Sequence, residues 1–253
     1  TARQVRVVEA GEVLARVRAD LAWGTSQAII ETTLYRESDV IDVRIDVDWH
    51  APHHLLRLGF ETAIADGVVT AEAPYGHETR EPTGAEYPCQ QWVDMTGTVG
   101  GLGYGFAILN DGCYAYSAHA GLLAMSLLRS PAYGHVAPAP LSAGEGYPIV
   151  DLGPHTFRFR LVPHAGPWQD ARVVKQAWEH NLPPLVHVES QHAGKRPKSA
   201  SLLGTEADNV LLSVLKQSEE GERIIVRGYE IHGRPAQTRL HLPAFRQAFD
   251  LHF

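Results

Sequence analysis

The sequence predicts an all-β protein: antiparallel sheets stacked as a sandwich, carrying one short helix and ending in a small β subdomain. Three observations predict this class. Short runs rich in Val, Ile, Leu and Thr recur along the chain, many separated by Gly, Pro or Asp clusters. Several alternate apolar with polar residues, the pattern of a strand with one face in the core and one face wet. Only one stretch has helical spacing, so the strand–helix alternation that a parallel sheet needs is missing.

Taken in order, the strand runs are "QVRVVEA", "EVLARVRADL", "QAIIETTLY", "VIDVRIDVDW", "LLRLGFET", "GVVTAEA", "YGFAILN", "LLAMSLL" and "TFRFRLV". The fourth alternates strictly, with Ile41, Val43, Ile45, Val47 and Trp49 on one side and Asp42, Arg44, Asp46, Asp48 and His50 on the other. In "GPWQDARVVKQAWEHNLPP", Pro167 occupies a first helical position. Trp168, Ala171, Val174 and Trp178 recur at helical spacing, and Asn181 with Pro183-Pro184 stops the run. This helix is expected to cross a sheet edge or cover one end of the sandwich. Residues 1–188 are expected to form the sandwich and residues 189–204, "ESQHAGKRPKSASLLG", a linker or long loop. Residues 205–253 are expected to form the small β subdomain, with "SEEGE" and "HGRP" as hairpin connections. So short a segment has little core of its own and is expected to dock on the sandwich.

Composition narrows the function. The chain has 253 residues, 44% of them hydrophobic and 20% charged, which is ordinary for a globular protein and too apolar for a disordered one. A formal charge of −7 without a basic cluster argues against nucleic acid as a partner. No apolar run reaches membrane-spanning length, so no membrane partner is expected. Cys89 and Cys113 are too few for a disulfide framework and read as buried thiols in a reducing, cytoplasmic compartment.

The 14 histidines call for a search for metal sites. "WHAPHH" offers His50, His53 and His54, but in a strand-to-loop transition His50 and His53 need not face one point; "HVE" offers His187 and Glu189 on one strand face without an evident third ligand. No Gly-x-Ser-x-Gly elbow is present, and "GGLGYG" lacks the strand-before and helix-after context of a phosphate loop, so it reads as a glycine turn into a strand. Asp42, Asp46 and Asp48 have spacing that permits a glycosidase pair, whose carboxyls lie ~5 Å apart in retaining enzymes and further apart in inverting ones. Repulsion among three like charges, with Arg44 between them, favours the wet face of a strand instead.

The middle of the chain carries a more specific signal. "IDVRIDVDWHAPHHLLRLGF", "EAPYGHETREPTGAEYPCQQWVDMTG", "GYGFAILNDGCYAY", "LLAMSLLRSP" and "DLGPHTFRFRLVPHAGPW" occur in that order, and "FRQAFDLHF" ends the chain. Together they closely resemble the C-terminal β region of family 38 glycoside hydrolases, the α-mannosidases, in the bacterial and cytosolic branch. The resemblance implies a β super-sandwich of galactose-mutarotase-like fold, preceded in the whole enzyme by a catalytic barrel and a helical bundle. It implies retaining hydrolysis of terminal α-mannosides through a mannosyl-aspartate, with zinc held by two His and two Asp in the barrel. The family's His-x-Asp zinc motif is absent here, because no His is followed two residues later by Asp. The chain is therefore expected to lack the first super-sandwich strands, to carry no catalytic residue and no metal or other cofactor, and to need the N-terminal barrel as its partner, with homo-oligomers also possible.

Within that resemblance, loops of this region close over one side of the sugar site, and Asn110, Asp111 and Arg129 are the residues expected to face substrate. Each has a plainer role open to it: Asn110-Asp111 as a turn opening, Arg129 as half of an ion pair. His155 and His164 are expected to tie strand ends to the helix at Trp168. A different reading is a free-standing carbohydrate-binding or aldose-epimerase-like sandwich, in which His50 or His54 faces Glu72 or Glu86 as base and acid. Whether this chain is itself an enzyme is left open by its sequence.

Overall fold

The computed structural model describes residues 2–64, 66–134, 140–142, 144–195, 197–242 and 247–252. By its internal contacts the chain divides into two compact units, one of residues 1–72 and 78–181, the other of residues 73–77 and 182–253.

The first unit is a sandwich of two antiparallel sheets. The larger contains β1 (Ala2–Ala10), β2 (Leu14–Trp23), β3 (Ser26–Tyr35), β4 (Ile41–Trp49), β13 (Gly153–Ala165), β10 (Leu102–Asn110), β9 (Trp92–Val99), β6 (Val68–Ala73) and β7 (Gly76–Arg80), side by side in that order. The smaller contains β5 (Leu55–Glu61), β12 (Leu122–Arg129), β11 (Ala115–His119) and β8 (Thr83–Pro88). All nine strand runs read from the sequence are strands. The sequence reading missed β7, β8, β9 and β11.

The core lies between the sheets. Val43 and Ile45 of β4, Phe159 and Leu161 of β13, Ile108 of β10 and Val93 and Met95 of β9 meet Leu123 and Met125 of β12 and Tyr116 of β11. Each such apolar side chain, taken fully out of water, contributes ~1.5–3 kcal/mol relative to exposure. Cys89 and Cys113 are buried free thiols beside this core, and burial pushes each up to about 12. The "GGLGYG" glycines turn β9 into β10. Gly100 and Gly101 both have positive φ, as a two-residue hairpin with Val99 paired to Leu102 requires.

The helix α1 (Val173–Asn181) starts later than its sequence pattern predicts. Trp168–Arg172 form turns, with N–H groups of Asp170, Arg172 and Val173 donating to Pro167, Gln169 and Trp168. Arg172 sits at φ +56°, which no helix propagates through. Nor does α1 cross an edge: it packs on β10 and β9, interior strands of the large sheet. Val173, Val174 and Ala177 are buried there, and Trp168 packs on Trp92 with ring centroids 4.9 Å apart. Both faces of β9 and β10 are thus covered, so Trp92 and Leu109 are as buried as Val93 and Ile108.

In the second unit, residues 182–203 have no regular secondary structure where described. β14 (Gly204–Thr205), β17 (Gln237–Leu242) and β18 (Gln247–His252) form one small sheet, and β15 (Val210–Gln217) pairs with β16 (Ile224–Glu230). "SEEGE" is the β15–β16 hairpin connection. "HGRP" is not a hairpin: it leads from β16 into a strand of the other sheet. Its shape comes from the Glu230 carboxylate, which accepts N–H groups of His232, Gly233 and Arg234 and so closes the turn on a side chain. Of the final segment "FRQAFDLHF", Phe245, Arg246 and Phe253 lie outside the described residues.

Candidate functional site

The acidic side of β4 is the first place to look for paired carboxylates, and each proves to have its own partner. The register sets Arg160 of β13 opposite Asp42 and Thr156 opposite Asp46. Arg160 grips Asp42 through two hydrogen bonds of 2.7 and 3.0 Å, and the Tyr35 hydroxyl donates to it at 3.0 Å. Burial alone would raise the Asp42 carboxyl, but Arg160 and Tyr35 together hold it below its ordinary range. Arg44 and Thr156 donate to Asp46 at 2.8, 2.9 and 2.6 Å and lower it too. Asp48 lies 3.0 Å from His50. This is a neutralised, solvated sheet face.

The histidine loop is structural. Ser130, fully buried, accepts the Trp49 indole N–H and the His54 amide and donates to the Ala51 carbonyl, clamping the loop to the end of β12. His54 turns its ring edge-on to Trp23, which stacks on Trp49. Among the described residues no three His, Cys, Asp or Glu side chains are placed to hold a metal ion. Glu72 is buried, and burial raises its carboxyl although the Gln91 N–H, 2.7 Å away, opposes this. Glu86 accepts from Ser126. Neither glutamate contacts His50 or His54, so the epimerase pairing gains no geometric support.

His164 does tie β13 to its neighbours. Its Nε2 lies 2.8 Å from Asp94 of β9, and its Nδ1 lies 3.1 Å from the carbonyl of Gly166, just before Trp168. His155 does not: its ring meets the Asp151 carbonyl, four residues back, and stacks on Phe157 of its own strand.

The residues expected to face substrate fall in two places. Asn110 ends β10 with its side chain buried and hydrogen-bonded at both ends of the amide. Its Oδ1 accepts the N–H groups of Gly112 and Cys113, and its Nδ2 donates to the Gln90 carbonyl. Asp111, exposed, accepts from Arg158. Both line a cavity of about 530 Å³ with Cys89, Gln90, Gln91, Tyr114 and Asn181. Arg129 is exposed at the end of β12, in the other sheet, and lines no part of that cavity. It has no ion pair among the described residues. Gln91 and Asn181 had no signal in the sequence, since only strand pairing and the return of the helix bring them to Asn110.

Comparison with known proteins agrees with this architecture. Residues 1–140 match the glycosyl hydrolases family 38 C-terminal domain, and residues 209–251 match the family 38 C-terminal beta sandwich domain. The chain is 31% identical over 209 residues to human alpha-mannosidase 2C1, and 28% identical over 208 residues to alpha-mannosidase G of Dictyostelium discoideum. These alignments cover 78% and 76% of this chain but only 18% and 17% of the relatives, so the chain spans under a fifth of their length. The crystal structure of an alpha-mannosidase from Enterococcus faecalis V583 superposes with a TM-score of 0.76 at 19% identity, covering 96% of this chain and 31% of that one. That likeness is one of fold. A family match over more than half the chain, on a sandwich whose strands follow the order of its motifs, places this protein in glycosyl hydrolase family 38, as part of the C-terminal β region.

Proposed function

We propose that this chain is a non-catalytic C-terminal portion of an enzyme that hydrolyses terminal α-mannosides with retention, and that it braces an N-terminal catalytic barrel. One observation carries the reading: an apolar sheet face that opens to solvent toward β1. The register puts Val5, Ala19, Ile30 and Ile45 in one row across β1 to β4, and Val7, Val17, Thr32 and Val43 in the next. At β4 these rows are core, with Ile45 3% and Val43 5% exposed. At β1 the same rows are open, with Val5 63% and Val7 64% exposed. The smaller sheet stops at β5, whose Leu56 still packs with Val47, so none of its strands pairs on beyond β5 to face β1. An uncovered apolar face next to a free strand edge fits an interface with more polypeptide. The relatives' much greater length supplies the source.

Among the described residues no side-chain cluster fits the family's zinc, so we assign it to the barrel. The exposed Arg129 and the Asp111 loop are the parts we propose to reach toward substrate, held there by Ser130 and Asn110. Two buried free cysteines support a reducing, cytoplasmic setting, and no helix among the described residues is long and apolar enough to cross a membrane. The test is hydrolysis of 4-nitrophenyl α-D-mannopyranoside. The enzyme carrying this chain is expected to turn over with zinc present, and residues 1–253 alone are expected neither to turn over nor to bind zinc stoichiometrically. Turnover by the isolated chain, or full activity of an enzyme stripped of it, would overturn the proposal. Accelerated mutarotation of fresh α-glucose by the isolated chain would favour the epimerase reading instead.

A further inference from the structure

We infer that the last turn of α1 is a proton-operated latch: uptake of a proton by His180 frees this turn from the sheet, and with it the grip of Asn181 on the Asn110–Asp111 turn. Every part lies in the first unit. α1 packs on β10 and β9, and its last turn carries His180 over to β13. There the half-buried ring meets the backbone of Arg158, while its Nε2 is shut off from solvent with no hydrogen-bond partner among the described residues. The next residue supplies the grip. Asn181 Nδ2 donates to the Asn110 carbonyl and to the Ala177 carbonyl, each at 2.9 Å.

A neutral ring fits this place and a charged one does not. The charged groups around it are Arg158 and Arg160 of β13, Asp42 of β4 and Asp111 after β10, with Glu179 of α1 acting on Arg160. Both carboxylates that could answer an imidazolium are already engaged: Arg160 grips Asp42 at 2.7 and 3.0 Å, and Arg158 holds Asp111 at 3.4 Å. Burial lowers the His180 imidazole and the Arg160 guanidinium lowers it further, against the opposing pull of the Arg158 backbone, Asp111 and Asp42. The carbonyl end of a helix favours a cation, but Asn181 already occupies the Ala177 carbonyl. A proton on the sealed Nε2 would be a buried charge without a partner, and turning the ring out to water relieves it at the expense of the turn. A histidine whose folded pKa is lowered takes its proton more readily in the open form. Docking therefore holds above the free value of ~6.5 and is lost as pH falls toward the folded value. With one proton taken up per opening, the opening constant rises about tenfold per pH unit across that window.

Any effect of the latch on substrate rests on the proposed function, whereas the latch itself rests on this chain and is tested on it. The experiment is hydrogen–deuterium exchange of residues 1–253 between about pH 7.5 and 5, each rate divided by the intrinsic rate at that pH. Opening of α1 should rise about tenfold per pH unit below ~6.5, and the amides of Gly112 and Cys113, which donate to Asn110, should follow. His180→Phe and His180→Gln cannot take up the proton, so each should remove the dependence, and either keeps the test valid where the other misfolds. Asn181→Ala should keep the slope in α1 and remove it from Gly112 and Cys113. Four results would overturn the latch: a flat α1 profile in the parent chain, an unchanged slope in both His180 variants, α1 exchanging in step with the amides of β4 at every pH, or a turn that still follows α1 in Asn181→Ala. Mannoside hydrolysis is read on the longer enzyme and exchange on this chain, so either reading can fail without the other.

Discussion

The pair Asp94–His164 gives the sharpest prediction about what holds the sandwich together. Both side chains are nearly sealed, 1% and 5% exposed, and Nε2 of His164 meets Oδ1 of Asp94 at 2.8 Å. Thr96 donates to the other carboxylate oxygen, and the second ring nitrogen faces the Gly166 carbonyl. The ring lies directly against Gly105, where a β-carbon would come within 2.0 Å of its Cε1. His164→Ala would strand Asp94 in the interior with Thr96 as its remaining side-chain partner, and removing one member of a buried pair costs ~3–5 kcal/mol. For a unit of this size each kcal/mol shifts the midpoint by ~2–4 °C, so the loss should be about 6–20 °C. The assay is thermal or urea unfolding followed by tryptophan fluorescence. Trp23, Trp49, Trp92, Trp168 and Trp178, the chain's 5 tryptophans, all lie in the first unit, so the signal reports that unit alone. The double variant His164→Phe with Asp94→Leu should be less destabilised than the single one, because apolar replacements leave no orphaned charge. A single variant that costs under ~1 kcal/mol, or a double variant costing the sum of its parts, would refute the coupling.

Three further outcomes follow from other parts of the fold. Ser130→Ala should cost ~1–3 kcal/mol in the same unfolding assay, since it leaves the buried Trp49 N–H without its acceptor. Burial would raise the Glu230 carboxyl, but the N–H of His232, the Asn209 amide and the N–H groups of Arg234 and Gly233 outweigh it and hold it low. A depressed carboxylate stabilises above its unfolded pKa of ~4.3 and loses that contribution as pH falls through the folded value. Amide-exchange protection in β15 to β17 should therefore drop on the acid side, and Glu230→Gln should flatten the dependence. Val5→Lys with Val7→Lys should abolish self-association of the isolated chain in light scattering while changing its stability by no more than ~0.5 kcal/mol per site, because both residues already face solvent.

How much of this was legible in the sequence depended on whether an element has one wet face. β4 shows strict alternation because Asp42, Arg44 and Asp46 look outward while Val43, Ile45 and Val47 fill the core. In β9 the period vanishes: α1 and Trp168 cover the outer side, so Trp92, Val93, Asp94 and Met95 are all buried and the run reads as neither helix nor strand. β7, "GHETR", and β8, "TGAEYP", are edge strands of polar and small residues, which carry little strand signal of their own. The late start of α1 depended on one backbone angle at Arg172. The cavity was half legible: the resemblance pointed to Asn110 and Asp111, but Gln91 comes alongside through the pairing of β9 with β10, where the Asn110 N–H donates to the Gln91 carbonyl.

The acidic face of β4 shows why spacing alone does not identify a glycosidase pair. Two same-face carboxylates on a strand satisfy the distance rule, yet catalysis also needs their environments to differ, one acid held protonated and one ionised. Here Asp42 and Asp46 are both lowered, each by an arginine and a hydroxyl. Their partners include Arg160 and Thr156, which are 118 and 110 residues away in sequence, so strand register sets the environment together with the local Arg44. Neither carboxyl can serve as a proton donor near neutral pH. Asp42→Asn in the longer enzyme should therefore cost ~1 kcal/mol or less of stability through the weakened Arg160 pair, with kcat for an aryl α-mannoside within about twofold of the parent. A drop of ~100-fold or more in kcat with the fold intact would mean that this face takes part in the chemical step, since general acid–base groups contribute on that scale.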